Sequence, residues 1–160
     1  MSEVRVADVA DVDEIIRLRT LMLASMGGVE IPLGSWVESV ADTLRDRLPD
    51  TDQTFVTFVI EQSDHPGRLA SCVSGLIEQR LGGPEDPSGL VGYVFNVCTD
   101  SAYRRRGYAR ACMEAVLAWY ADRGVVKIDL KTWVEGAPLY RSLGFVPTAS
   151  PLLRYTAPKR

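Results

Sequence analysis

The sequence predicts an α/β fold: a single domain over residues 1–160, with a mixed sheet of about seven strands and helices on both faces. Three observations point to it. Segments of period two alternate along the chain with segments stepping by three and four. No internal repeat or low-complexity tract divides it. One strand–helix–strand crossover, in the second half, implies a parallel pair inside a mainly antiparallel sheet. With 46% of its 160 residues hydrophobic, the chain can build a sizeable core without disulfides or a structural metal.

Taken in order, residues 4–7 read as a short strand. Asp11 is a good N-cap and Glu14 follows three residues later, the spacing of a capping box. Val12, Ile15, Ile16, Arg19, Met22 and Leu23 fall on one arc of the helix that follows, and Gly27-Gly28 stops it. A second helix starts at Ser35, with Glu38 three residues on and Val37, Val40, Leu44 and Leu48 at helical spacing, and Pro49-Asp50 ends it. Residues 54–61 are rich in β-branched and aromatic residues, residues 69–81 resume a strand pattern, and the turn chemistry of Ser63-Asp64-His65-Pro66-Gly67 between them predicts an antiparallel hairpin. Residues 82–89 hold two prolines and three glycines and read as an exposed loop. Residues 90–99 are apolar almost throughout, as in a strand buried on both faces. Ala109, Cys112, Met113, Val116, Leu117 and Tyr120 then trace the clearest helix, up to Arg123-Gly124. Residues 125–133 alternate as a strand. A short helix fits 137–143, with Pro138 in its first turn and Gly144 at its end. Residues 145–147 and 152–156 are expected to be closing strands.

Composition narrows the function. Eighteen basic against twenty-one acidic residues give a net charge of −3, unlike the strongly basic footprint of a general nucleic-acid binder. Three cysteines without scaffold-like spacing suggest reduced thiols. One histidine and no C-x-x-C leave little for a metal site, so none is expected. The N-terminus lacks an apolar h-region and no window approaches the ~20 apolar residues of a membrane span. The expectation is a cytoplasmic protein without a membrane or nucleic-acid partner.

The chemistry gathers in Thr99-Asp100-Ser101-Ala102-Tyr103-Arg104-Arg105-Arg106-Gly107-Tyr108-Ala109-Arg110, between an apolar strand and an amphipathic helix. A helix N-terminus offers unpaired N–H groups and the positive end of the macrodipole, so it binds phosphate readily. Gly107 lets the backbone approach an anion, and Arg104, Arg105, Arg106 and Arg110 add positive charge. A diphosphate is the natural partner.

This segment resembles the acyl-CoA-binding motif Arg/Gln-x-x-Gly-x-Gly/Ala of the Gcn5-related N-acetyltransferases, here Arg104-x-x-Gly107-x-Ala109. Val94-Phe95-Asn96-Val97-Cys98-Thr99-Asp100 resembles the family's fourth strand. Ala137-Pro138-Leu139-Tyr140-Arg141-Ser142-Leu143-Gly144-Phe145 resembles its second signature. The resemblance implies a fold in which the fourth strand bulges and splays from its parallel neighbour, and an N-acetyltransferase moving acetyl from acetyl-CoA to a primary amine by direct transfer. The other reading is a catalytically silent acyl-CoA-binding sensor.

The resemblance also implies roles. The amides of Arg105, Arg106, Gly107, Tyr108, Ala109 and Arg110 would hold the pyrophosphate, and the backbone of Val97, Cys98 and Thr99 would pair with pantetheine. Val97 would donate to the thioester carbonyl. Tyr140 would protonate the departing thiolate. A phenol of pKa about 10 against a thiol near 8.5 is mismatched by roughly 2 kcal/mol, small enough for a site to offset.

Cys98, in an apolar strand with no histidine nearby in sequence, reads as an inert small hydrophobe rather than a nucleophile. Cys72 and Cys112 read as interior, and His65 as an exposed turn residue. Leu139 and Leu143, four apart, read as core. Asn96 cannot act as a general base, which leaves Glu78, Asp129, Glu30 or water. Residues 26–36 have the composition of a mobile loop and lie where the family builds its acceptor wall. The net charge points mildly to a cationic acceptor, such as a polyamine, an aminoglycoside, an amino acid or a protein N-terminus. Homodimerisation is common in the family.

Overall fold

The computed structural model describes residues 3–49 and 53–160; Asp50, read above as part of a helix stop, lies outside them. Among the described residues one mixed sheet runs β1 (Val4–Val6), β2 (Phe55–Glu61), β3 (Leu69–Gln79), β4 (Leu90–Thr99) and β5 (Lys127–Leu130), in that spatial order. Its first three junctions are antiparallel and β4–β5 is parallel. Helices α1 (Val12–Gly27) and α2 (Ser35–Arg47) cover one face, and α3 (Tyr108–Asp122) covers the other, followed by the short α4 (Ala137–Ser142). No helix among the described residues is long and apolar enough to cross a membrane.

Period-two alternation decides which strand residue meets which helix layer. Phe55, Val59, Cys72 and Cys98 pack with Ile15, Leu18 and Leu44 on the α1/α2 side. Val56, Ile60, Val73 and Val94 pack with Cys112, Met113, Val116 and Tyr120 on the α3 side. Trp119 joins this second core beside the expected stripe, while Leu117 is only half-buried.

The expected seven strands are five. Residues 145–147 and 152–156 form no ladder, and Val146 and Leu153 are 78% and 89% exposed. Pro147 has no N–H to offer a ladder in the first segment, while residues 152–156, which hold no proline, have no paired strand beside them among the described residues. A short apolar run is compatible with an extended segment, and pairing then depends on a neighbouring strand edge that the fold does not provide here. The expected strand over 125–133 shortens to β5, which stands at the sheet edge and is only half-buried. The strand over 90–99 is likewise not buried on both faces throughout, since Phe95, Asn96 and Val97 are half-exposed.

The start of α1 differs in part. Asp11 is its N-cap residue, but its side chain makes no cap bond to α1. The capping box belongs instead to the 3-10 turn Val9–Asp11 just before the helix, where Asp8 accepts from the Ala10 amide and Asp11 reaches back to the Asp8 amide at 2.9 Å. Asp11 also accepts twice from Arg5, both at 2.8 Å. Glu14 instead accepts from the Leu69 amide at 2.8 Å and pairs with Arg17 and Arg68. Helix α2 begins after Gly34 without a side-chain cap. Gly28 closes α1 at φ +66°, where the left-handed region favours glycine.

Two features position the functional end of the sheet. In β4, Asn96 and Val97 stand opposite Val73 alone, because Phe95 pairs Ser74 and Cys98 pairs Cys72. Asn96 takes φ +53° at this bulge, which asparagine tolerates better than most residues. The β4–β5 pairing ends at Val94–Leu130, so β4 runs on for five residues with its β5-facing edge uncovered.

Candidate active site

A cleft of about 780 Å³ opens where β4 leaves β5, between the end of α1, the start of α3 and α4. Its floor is Val97, Cys98 and Thr99, the uncovered part of β4. On the far side of that strand they remain tied to β3. Ser71 Oγ donates to the Cys98 carbonyl at 3.1 Å and lies 2.9 Å from Thr99 Oγ1.

One wall is the arginine–glycine turn. Gly107, at φ +81°, is the N-cap residue of α3, and no side chain caps that helix. The left-handed conformation, rather than lack of room, is what requires glycine here, since a Cβ would meet nothing within 4 Å. The first-turn amides of Tyr108, Ala109 and Arg110 are thus at the cleft, together with Arg104 and Arg105. Arg105 is itself at φ +61°. Arg106 is the exception among the expected phosphate binders. It does not line the cleft, and its guanidinium lies 4.8 Å from the centroid of the Tyr103 ring.

Asp100 anchors this wall to α1. Its carboxylate accepts from Arg17 at 2.8 Å and from the Ala102 amide at 3.1 Å. Burial alone would raise its pKa, but the Arg17 and Ala102 hydrogen bonds outweigh it and hold the group below the usual carboxylate range. Arg17 also bonds Glu14 and donates to the Leu69 carbonyl at 2.8 Å, so one guanidinium ties α1 to β3 and to the turn that follows β4.

The opposite wall comes from α4 and the segment before it. Tyr140 is 9% exposed and lines the cleft, with its ring edge-on to Phe145. Burial, with a smaller contribution from Cys98, raises its phenol above the ordinary value, so it stays protonated. Leu139 lines the cleft too, and with Leu143 packs on the α3 core. Arg110 donates to Ser142 Oγ, bracing α4 against α3.

A model of the acetyltransferase (GNAT) family matches residues 22–145. The chain belongs to this family. No curated protein matches its sequence. Among solved structures, this GNAT chain is similar to a predicted acetyltransferase with acetyl-CoA from Clostridium acetobutylicum. The TM-score is 0.83 at 20% identity, over 97% of this chain and 96% of the other. A GCN5-related N-acetyltransferase from Ralstonia eutropha JMP134 gives 0.75 at 24% identity, over 97% and 99%. A glucosamine-6-phosphate N-acetyltransferase from Arabidopsis thaliana gives 0.77 at 19%, over 98% and 99%.

Within this GNAT chain the candidate bases fall elsewhere. Glu78 is exposed and ion-paired with Arg80 at 2.7 Å, Glu30 is exposed, and Asp129 lies opposite Tyr93; none lines the cleft. Glu135 is the sole carboxylate lining it among the described residues. Sequence reasoning also missed Met22, Ser25, Tyr103 and Trp133 on its walls. Met22 stood on the helical arc already traced, but nothing local said that the last turn of α1 overhangs β4.

Cys98 is buried, with Sγ 3.4 Å from Met22 Sδ and 3.4 Å from Asn96 Oδ1. Cys72 is buried against it, and its thiol is pushed up by that contact and by burial. Cys112 is pushed up to about 12, chiefly by burial. His65 is exposed and pairs with Asp64 at 3.3 Å.

Proposed function

We propose that the protein transfers an acetyl group from acetyl-CoA to a primary amine by direct attack. Support comes chiefly from one juxtaposition: an uncapped helix start flanked by Arg104, Arg105 and Arg110, an uncovered strand edge, and a buried phenol, all on one cleft. The residues suit the donor chemically. The amides of residues 107–110 and their neighbouring arginines would bind the diphosphate, and the main chain of Val97, Cys98 and Thr99 would pair with the pantetheine amides. When bound, acetyl-CoA supplies the activated acyl group. Val97 N–H would polarise its carbonyl, and Tyr140 Oη would hold a proton for the leaving sulfur. Holding amine and thioester together accounts for much of the barrier reduction without a covalent enzyme adduct.

Titration calorimetry with acetyl-CoA tests the placement. The wild type should bind, and Gly107→Asp should lose binding beyond detection. The substitution strains a backbone at φ +81° and sets a carboxylate where the diphosphate belongs. Unchanged affinity would place the diphosphate elsewhere. A thiol-release screen with amines then tests transfer, and binding without release from any amine would point to a sensor.

A further inference from the structure

A second cavity, of about 370 Å³, lies on the α1/α2 side of the sheet and abuts the cleft at the β4 bulge. Asn96 lines this cavity and the next residue, Val97, lines the cleft; Arg19 lines it and Met22, one helical turn on, lines the cleft. Its volume suits a small molecule. Ile15, Leu44, Phe55, Leu76 and Phe95 give it an apolar body.

Its charged groups are two arginines and no acid among the described residues. Arg19 is half-buried, donates from Nη1 to Asn96 Oδ1 at 2.9 Å, and has no carboxylate partner among them. Arg47 lies 5.0 Å from the Phe55 ring centroid at the same cavity. By contrast, Arg5, Arg17, Arg45, Arg68 and Arg80 are each paired with a carboxylate. A half-buried guanidinium with one neutral partner keeps donors open to a ligand anion, with which it makes its strongest hydrogen bonds.

We infer that this cavity is the acceptor pocket and that the acceptor is an apolar α-amino acid. The inference rests on the acetyl-transfer reading above. An α-amino acid carries amine and carboxylate on one carbon, so a carboxylate on Arg19 leaves the amine at the bulge, beside Val97. The apolar side chain then fills the recess. Of the cationic acceptors that the net charge suggested, a polyamine would meet two like charges and no acid among the described residues, whereas an amino acid brings its own carboxylate. In the reaction the ammonium releases one proton to solvent and its nitrogen bonds the acetyl carbon. The C–S bond breaks, the second amine proton leaves, and the sulfur takes one proton. The products are an N-acetyl amino acid and free CoA.

The test compares thiol release from acetyl-CoA with phenylalanine, phenethylamine (the same body without the carboxylate) and spermidine, alongside calorimetry of phenylalanine binding. Phenylalanine should be the best acceptor. Arg19→Gln should lower its kcat/KM by about 10- to 100-fold, the usual effect of losing a hydrogen bond to a charged group, and erase its advantage over phenethylamine. Thr43→Glu, on an exposed position of α2 at the cavity rim, should weaken phenylalanine in the same direction and covers the case in which Arg19→Gln folds poorly. Equal or better turnover of phenethylamine or spermidine would overturn the acceptor class while acetyl transfer stood. Phenylalanine binding lost in Arg19→Gln, with no turnover of any amine, would keep the pocket and overturn the transfer. Acetyl-CoA binding with neither binding nor turnover of phenylalanine would overturn the pocket alone.

Discussion

At the residue scale the sharpest question is Tyr140. Its phenol is raised by burial and faces the cleft, so it carries its proton through the neutral range. Tyr140→Phe keeps the ring that packs on Phe145 and removes only the hydroxyl. Acetyl-CoA affinity should therefore stay within a few-fold, while turnover falls by the roughly 10²–10⁴-fold typical of a lost positioned acid. The wild-type rate should keep its protonated phenol as pH rises until above the ordinary tyrosine value, because the folded group titrates higher. Steady-state rates at a saturating acceptor decide it, and wild-type turnover in the variant would reduce Tyr140 to a packing residue. Glu135, in contrast, was invisible from sequence: nothing in Trp133-Val134-Glu135-Gly136 separates a cleft carboxylate from a solvated one.

At the scale of elements, the contact between α3 and the sheet depends on missing side chains. Tyr120 is fully buried, and its hydroxyl reaches the Leu76 and Tyr93 carbonyls at 3.1 and 3.0 Å. Those carbonyls belong to neighbouring strands, so one phenol clamps β3 to β4 from the α3 side. It fits because Gly75 and Gly92 offer no Cβ. One built on Gly92 would lie 2.7 Å from Tyr120 Cε1, and one on Gly75 2.6 Å from its hydroxyl oxygen. Gly92→Ala should consequently destabilise the protein by about 1–3 kcal/mol, the usual cost of overpacking. Urea unfolding measures this, and a midpoint equal to wild type would mean that α3 shifts freely on the sheet.

At the scale of the whole molecule, titration should limit stability from both sides. Asp11, Glu14 and Asp100 are partly buried; burial alone would raise them, but hydrogen bonds from Arg5, Arg17 and backbone amides hold all three below their ordinary values. A group depressed in the folded state contributes stability above its unfolded pKa, so that contribution should be lost as pH falls below about 4 through the folded values. Cys112 and Tyr120 are raised, chiefly by burial, the thiol from 9.0 to about 12. Their contribution is present below the unfolded values and lost as pH rises from there through the folded ones. Urea midpoints across pH should show a plateau near neutrality, an acid fall and an alkaline fall. Arg17→Ala should flatten the acid fall, since it removes the partner of both Glu14 and Asp100; an unchanged acid limb would put the acid sensitivity elsewhere.

What the sequence determined by itself was the local chemistry: apolar period, the strand–turn–helix frame around residues 90–122, and the left-handed glycine that opens α3. Those depend on a residue and its near neighbours, because φ preference, missing donors and helical spacing act over a few positions. The family was legible for the same reason, its two signatures being short contiguous segments. Tertiary structure alone decided what faces what. Glu78 and Asp129 lie on strands, yet register and sheet order turn them away from the cleft, while Glu135 lines it. The count of strands was settled by which segments find a paired neighbour in the fold, not by local apolar pattern. Arg19 meets Asn96 across 77 residues of sequence, a contact made by chain closure rather than by local propensity. That closure sets two cavities against one bulged strand, an arrangement that exists only in the folded chain.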